Sequence, residues 1–250
     1  MDTELQQSFT GKWRQYFGNA DLPVCLIYAE EARAEDRMDS ETVDRCLIGN
    51  LRRVLEGHPY VYDAHTAGCP GGKRYSGFTA KLRPNFEYFL SCGIPGELEG
   101  ERYKQTPELV QRFMASHTPF EAPARYLIFK RWDTLRPEEE PLLVVFVATP
   151  DVLSGLFTLA NYDVAETDGV IAPMGSGCSS IIAYPLAEGR SGRPRCVLGM
   201  FDVSARPSVP AGALTFAVPM ARFRTMVASM DESFLITPSW SKVRSRIAGG

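Results

Sequence analysis

An α/β fold with a mixed sheet is what this sequence predicts, and three observations carry the prediction. Short apolar runs rich in β-formers, such as Leu22 to Ala29 and Leu142 to Ala148, alternate with segments of helical period. Helix-start signals of the form Thr-Pro-acid precede two of those segments, at Thr106-Pro107-Glu108 and Thr149-Pro150-Asp151. Strand, capped helix and strand follow one another twice, the order of a βαβ unit. Residues 1–250 are therefore expected to form one domain, with two βαβ-like halves and a helical insert around residues 84–119.

The elements follow in order. Leu5, Phe9, Trp13 and Phe17 recur every four residues and predict a helix that Gly18 stops. Leu22 to Ala29 reads as a buried strand, and the charged stretch Glu30 to Arg37 as a solvated excursion. Asp39 or Ser40 would cap a helix carrying Val43, Leu47, Leu51 and Val54, with Cys46 beside that face and an end near Gly57. Tyr60 to Ala64 is the next strand, and a right-handed crossover is expected between the two. Phe86 to Cys92 predicts a short helix. Thr106 opens a second, with Leu109, Val110, Phe113 and Met114 on its apolar side and Pro119 and Pro123 beyond its end.

Tyr126 to Arg131 reads as a strand and Arg136 to Pro141 as a charged turn. Leu142 to Ala148 is the clearest buried strand. Thr149 then starts a helix bearing Val152, Leu153, Leu156, Phe157 and Ala160. Val170 to Pro173, Cys196 to Val203 and Leu214 to Val218 supply further strands. Pro219 opens a helix with Met220, Phe223, Met226, Val227 and Met230 inward, and the basic tail Lys242, Arg244, Arg246 reads as a solvated end.

Bulk properties narrow the function. With 44% hydrophobic and 23% charged residues, the composition is that of an ordinary soluble globular protein. A formal charge of −3 with scattered Lys and Arg gives no footprint for nucleic acid. MDTELQQSFTGKW has no apolar core, so it is not a secretory signal, and the longest apolar run, Leu142 to Ala148, is too short to span a membrane. A cytoplasmic location is the default expectation. There the widely spaced Cys25, Cys46, Cys69, Cys92, Cys178 and Cys196 are expected as free thiols or ligands. The sequence leaves open whether the chain forms a homo-oligomer.

Two loops concentrate the candidate chemistry. In His65 to Phe78, Cys69 is flanked by Gly68, Gly71 and Gly72, so backbone N–H groups can approach a ligand closely. Gly175, Ser176, Gly177, Cys178 and Ser179 repeat the device. The segments 22–69 and 142–178 share one plan that ends in such a cysteine, which suggests an internal duplication with the loops facing across a pseudo-twofold axis. The plainer alternative is that any α/β chain shows βαβ units. Cys46, Cys69 and Cys178 together could ligate an iron–sulfur cluster or a soft metal with one position open, and His65 could join a zinc-like set. Against this, no C-x-x-C pair is present. The structural alternative makes Cys25 and Cys196 small core hydrophobes and packs Cys46 against the core.

If Ser179 begins a helix, Cys178 lies at its positive end, where thiolate is favoured, and Pro185 would limit that helix to about two turns. A papain-like mechanism needs a histidine base, and His58, His65 and His117 offer no context for one. Asp202 and Arg206 read as a strand-end ion pair; alternatively, Arg206 is a fork for a carboxylate or phosphate ligand. Glu101 and Arg102 read as a solvated turn. Neither cysteine loop matches a phosphate-loop or dinucleotide fingerprint.

RCLIGNLRRVLEG, GCPGG, YFLSCG, EGERYKQTPEL, RYLIFKRW, VVFVATPDVLSGL, GSGCSSI, CVLGMFDVSAR, LTFAVPMARF and ESFL followed by Trp240 occur in that order across almost the whole chain. This set resembles the bacterial and archaeal proteins of domain of unknown function family 169. The resemblance implies a soluble prokaryotic protein and draws attention to Cys46, Cys69 and Cys178, which fall in the family's cysteine-bearing motifs. It supports the core reading of Cys25, leaves His65 outside the pattern, and supplies no reaction. The expected function is binding of a small molecule or cofactor between the Cys69 and Cys178 loops. The alternatives are a thiol-ligated metal or iron–sulfur enzyme, or a protein–protein interaction module without a small ligand.

Overall fold

The computed structural model describes residues 1–38, 43–66, 68–117 and 119–248, and its centre is one seven-stranded sheet. α1 (Thr3–Phe17) is capped by Asp2, whose carboxylate accepts from the Glu4 and Leu5 N–H groups, and ends at Gly18 in a left-handed turn (φ 62°). β1 (Val24–Ala29) follows as expected. The helix anticipated from Val43 onward is shorter than its apolar spacing implied: one 3₁₀ turn (Ile48–Asn50) leads into α2 (Leu51–Leu55). The reason is Asn50. Its buried amide accepts from the Asp44 N–H and donates to the Asp44 and Cys46 carbonyls, which holds 44–46 as a loop. The proposed caps Asp39 and Ser40 lie outside the described residues.

β2 (Tyr60–Asp63) runs into α3 (Pro70–Tyr75). The insert holds α4 (Phe86–Phe89) and α5 (Pro107–Ala115), and the Thr106 hydroxyl caps α5 by accepting from the Leu109 N–H. β3 (Tyr126–Arg131), β4 (Leu143–Ala148) and α6 (Pro150–Leu159) come next, then β5 (Val170–Ile171), α7 (Tyr184–Gly189) and β6 (Cys196–Gly199). β6 stops short of the expected Val203 because Met200 takes a positive φ of 70°. β7 (Leu214–Pro219) passes directly into α8 (Met220–Ser229). The basic tail forms α9 (Pro238–Ala248), held by Trp240, which is buried against Phe17 and donates from Nε1 to the Tyr16 carbonyl at 2.7 Å. No described helix is long and apolar enough to cross a membrane.

The strand order is β2-β3-β1-β4-β7-β6-β5, and among the described residues only β5–β6 is a parallel pair. β2 returns parallel to β1 as a βαβ crossover requires, but β3 lies between them, antiparallel to both. Alternation along the strands sends side chains into two cores. Cys25, Ile27, Phe146, Cys196 and Phe216 face α1, α6, α8 and α9, among an aromatic cluster that includes Phe9, Trp13, Trp132 and Phe223. Val24, Leu26, Tyr60, Tyr62, Phe129 and Val145 face α2, α7 and the chain around Cys178. Burial on both faces is why these strands read as unbroken apolar runs.

The charged stretch 30–37 and the charged turn 136–141 are mostly exposed, but each buries one acid. Asp36, from the first charged stretch, is 1% exposed, and Glu139, from the charged turn, is 8% exposed. Between them lies Lys130 of β3, with Nζ 2.7 Å from Asp36 and 2.6 Å from Glu139, while Arg136 bonds both acids at 2.6 Å. Burial alone would raise the Asp36 pKa, but the bonds from Arg136 and Lys130 outweigh it and hold the carboxyl below its ordinary value. Replacing Lys130 with methionine removes one cation from this buried group, and urea unfolding is expected to show a loss of about 3–5 kcal/mol. Since the folded pKa of Asp36 is depressed, its contribution is present above the unfolded carboxylate pKa of about 3.9 and is lost as pH falls through the folded value. Unfolding curves between neutral pH and pH of about 3 should therefore fall more steeply for the wild type than for Lys130→Met.

Candidate functional site

Three chain segments meet over the second face of the sheet, and each carries one of the cysteines singled out by sequence. The first is the loop stapled by Asn50, which holds Cys46 half-buried. The second is the turn from β2 into α3. Cys69 is the N-cap of α3: its Sγ accepts from the Gly72 N–H at 3.2 Å, and Pro70 sits in the first turn, where no N–H is missed. The Cys69 N–H donates to the Arg45 carbonyl at 3.0 Å, which ties this turn to the Cys46 loop.

The third segment runs from Gly175 to Ser180. Ser176 Oγ accepts from the Ser179 N–H at 3.1 Å, and the Gly177 N–H donates to Asp202 Oδ2 at 2.9 Å. Asp202 also accepts from Ser204 and from the hydroxyl of Tyr103, so the helical insert braces this loop. Cys178 occupies the first turn of a helix over 177–189, longer than the two turns Pro185 seemed to allow. The helix survives its proline because 179–183 is a π-turn, whose wider spacing relieves the missing N–H and the ring clash of Pro185.

Glycine is demanded at particular points here. A Cβ on Gly68 or Gly72 would stand 3.0 or 2.9 Å from the Tyr62 hydroxyl oxygen, and one on Gly177 would stand 2.9 Å from Ala205 Cβ and 3.3 Å from Ile48 Cγ1. Gly71 is different, with nothing nearer than 4.0 Å. Packing therefore brings the 44–48, 68–72 and 175–178 segments into contact.

The electrostatics are those of buried sulfur and phenol. Burial pushes the Cys178 thiol well up, and Cys69, Cys46 and Asp202 add to the shift, so the group is a protonated thiol at neutral pH. Tyr60 and Tyr62 are raised above the phenol range by burial first, with Cys178 and Cys69 adding to both. Their hydroxyls are neutral donors. Tyr60 is 2% exposed and Tyr62 1%, yet neither hydroxyl has a hydrogen-bond partner among the described residues. Sequence reading missed both tyrosines, although their two-residue spacing in YVYD just before the glycine loop puts them on one face of β2.

Cys46, Cys69, Gly72, Gly177 and Cys178 are thus neighbours. Gly71 lies in the first turn of α3 beside Cys69, and Gly175, Ser176 and Ser179 form the turn that carries Cys178. Arg206 is differently engaged: its guanidinium donates to the carbonyls of Ala213 (2.6 Å) and Ala211 (2.8 Å) and closes its own turn, so the expected ion pair with Asp202 is replaced by these bonds. His65 is exposed, with its N–H on Asp63, and Cys92 is exposed in the insert. Cys25 and Cys196 are sealed in the opposite core, as expected of small hydrophobes. Among the described residues no three His, Cys, Asp or Glu side chains are grouped to hold a single metal ion. A separate cleft of about 510 Å³ lies on the α1 side, lined by Trp13, Arg14, Asn19 and Arg244 among others.

The family model for domain of unknown function family 169 (DUF169), described as an uncharacterised ArCR, matches residues 14–229, a span that contains every residue of the junction. No curated protein and no solved structure is a match.

Substituting Gly177 with alanine forces a methyl group into an occupied space. Urea unfolding is expected to show a loss of about 1–3 kcal/mol, while Gly71→Ala, with open space around it, should stay within about 0.5 kcal/mol of the wild type.

Proposed function

We propose, for a chain that belongs to domain of unknown function family 169, that the junction of the Cys46, Cys69 and Cys178 segments binds a small molecule or cofactor. The observation that carries this reading is the pair of buried, unpartnered hydroxyls of Tyr60 and Tyr62 beside three thiols. A buried hydroxyl without an acceptor costs about 1–3 kcal/mol, which phenylalanine at the same position would avoid. A ligand that offers acceptor atoms to those donors recovers that loss on binding. The thiols add affinity for a soft centre, and the half-buried Cys46 and Cys69 leave the junction a way to the surface.

The hydroxyl of Tyr62 supplies the test, because a binding role and a packing role move stability in opposite senses. Tyr62→Phe is expected to leave the ligand-free protein as stable as the wild type or about 1 kcal/mol more stable. Native mass spectrometry of anaerobically purified full chain should show a bound mass on the wild type that is depleted on Tyr62→Phe and on Cys178→Ser. Bare chain in all three spectra, with Tyr62→Phe destabilised, counts against the site.

A further inference from the structure

The identity of the ligand can be taken further, on an inference that rests on the binding reading above. We propose that Cys46, Cys69 and Cys178 hold an iron–sulfur cluster through three thiolates, with the Tyr60 and Tyr62 hydroxyls donating hydrogen bonds to its sulfur atoms.

Four features of the junction select this class. The first is the donor set: three thiols from three separate segments, with no histidine among them and all three sulfurs free of disulfides. Thiolates alone are the ordinary ligands of iron–sulfur clusters. Secondly, the three segments touch: the Cys69 N–H donates to the Arg45 carbonyl at 3.0 Å, and a Cβ on Gly177 would stand 3.3 Å from Ile48 Cγ1. A cluster takes one thiolate per iron, so it can draw its ligands from separate segments that pack together. Thirdly, the two phenol hydroxyls are buried, neutral and unpartnered next to those thiols, and sulfide is an acceptor in need of donors. Fourthly, Gly68 and Gly72 bring bare backbone up to Tyr62, so no side chain from that turn fills the space beside its hydroxyl.

On ligation each of the three thiols gives up its proton to solvent as its sulfur binds an iron. Three thiolates leave one iron of a four-iron cluster without a protein ligand, open to a small molecule.

The test is anaerobic incubation of the full chain with ferric iron, sulfide and dithiothreitol, the dithiol reducing part of the iron to ferrous, followed by desalting and assay of iron and acid-labile sulfide. The wild type should retain iron and sulfide in equal amounts with broad visible absorption, and so should Cys92→Ser, whose thiol is exposed and remote. Cys46→Ser, Cys69→Ser and Cys178→Ser should each retain several-fold less. Tyr62→Phe should retain less cluster than the wild type, and what it retains should have a lower midpoint potential, because a donor to cluster sulfur stabilises the reduced, more negative state. A wild type that retains neither iron nor sulfide overturns the proposal whatever the variants do, and equal retention by the wild type and all three serine variants marks the iron as adventitious. An organic mass on the native chain without iron ends the cluster but leaves the binding site standing. Bare chain in both experiments ends both.

Discussion

The short gap between the Tyr62 hydroxyl and the backbone of the Cys69 turn is the constraint on which the junction depends. A tyrosine ring standing up from the sheet reaches about as far as the first layer of covering backbone, so whatever crosses its tip must carry no side chain there. Gly68 and Gly72 meet that condition. With the turn pressed so close, the Cys69 thiol falls back onto the start of α3 and its N–H finds the Arg45 carbonyl, which brings the Cys46 loop alongside. The sulfur chemistry is thus a result of a packing distance.

The two faces of the sheet divide the labour. One is closed by long helices over interlocked aromatic rings, Phe9, Trp13, Trp132, Phe146 and Phe223 among them, and holds the larger of the two buried clusters. The other is covered by short helices and loops that must be positioned one by one, through Asn50, Asp202 and the hydroxyls of Ser176 and Ser180. Well-packed side chains on the first face stabilise the strands firmly enough for the second face to retain two orphaned hydroxyls. A stability deficit at one place in a fold is tolerable when the remainder is in surplus.

Much of the fold was legible because burial on both faces turns a strand into a continuous apolar run, and because Thr106-Pro107-Glu108 and Thr149-Pro150-Asp151 announce helices by chemistry local to the chain. Strand order was not legible. β3 inserts between β1 and β2 through a pairing that no local pattern encodes, and nothing near Lys130 in the chain announces Asp36, which closes around it with Glu139. At the junction, glycine beside cysteine was a readable signal of loops that meet, although Cys178 itself is buried in the second core rather than held out of it. Tyr60 and Tyr62 were unreadable as polar groups, because paired aromatics in a strand resemble packing and a missing partner exists only in three dimensions. Arg206 misled in the opposite sense: a guanidinium at a strand end suggests an anion, and its own turn consumed it.

The π-turn at 179–183 has a geometric consequence for the thiol before it. One surplus residue in a helix rotates everything upstream by roughly 100° about the axis relative to a regular spiral. The sulfur of Cys178 therefore points at the sheet only because the helix beyond it is overfilled by one. In a chain trimmed by a single residue there, a glycine or a serine hydroxyl would swing into that bearing, and the compass of the whole loop would be reset without any change to the residues that line it.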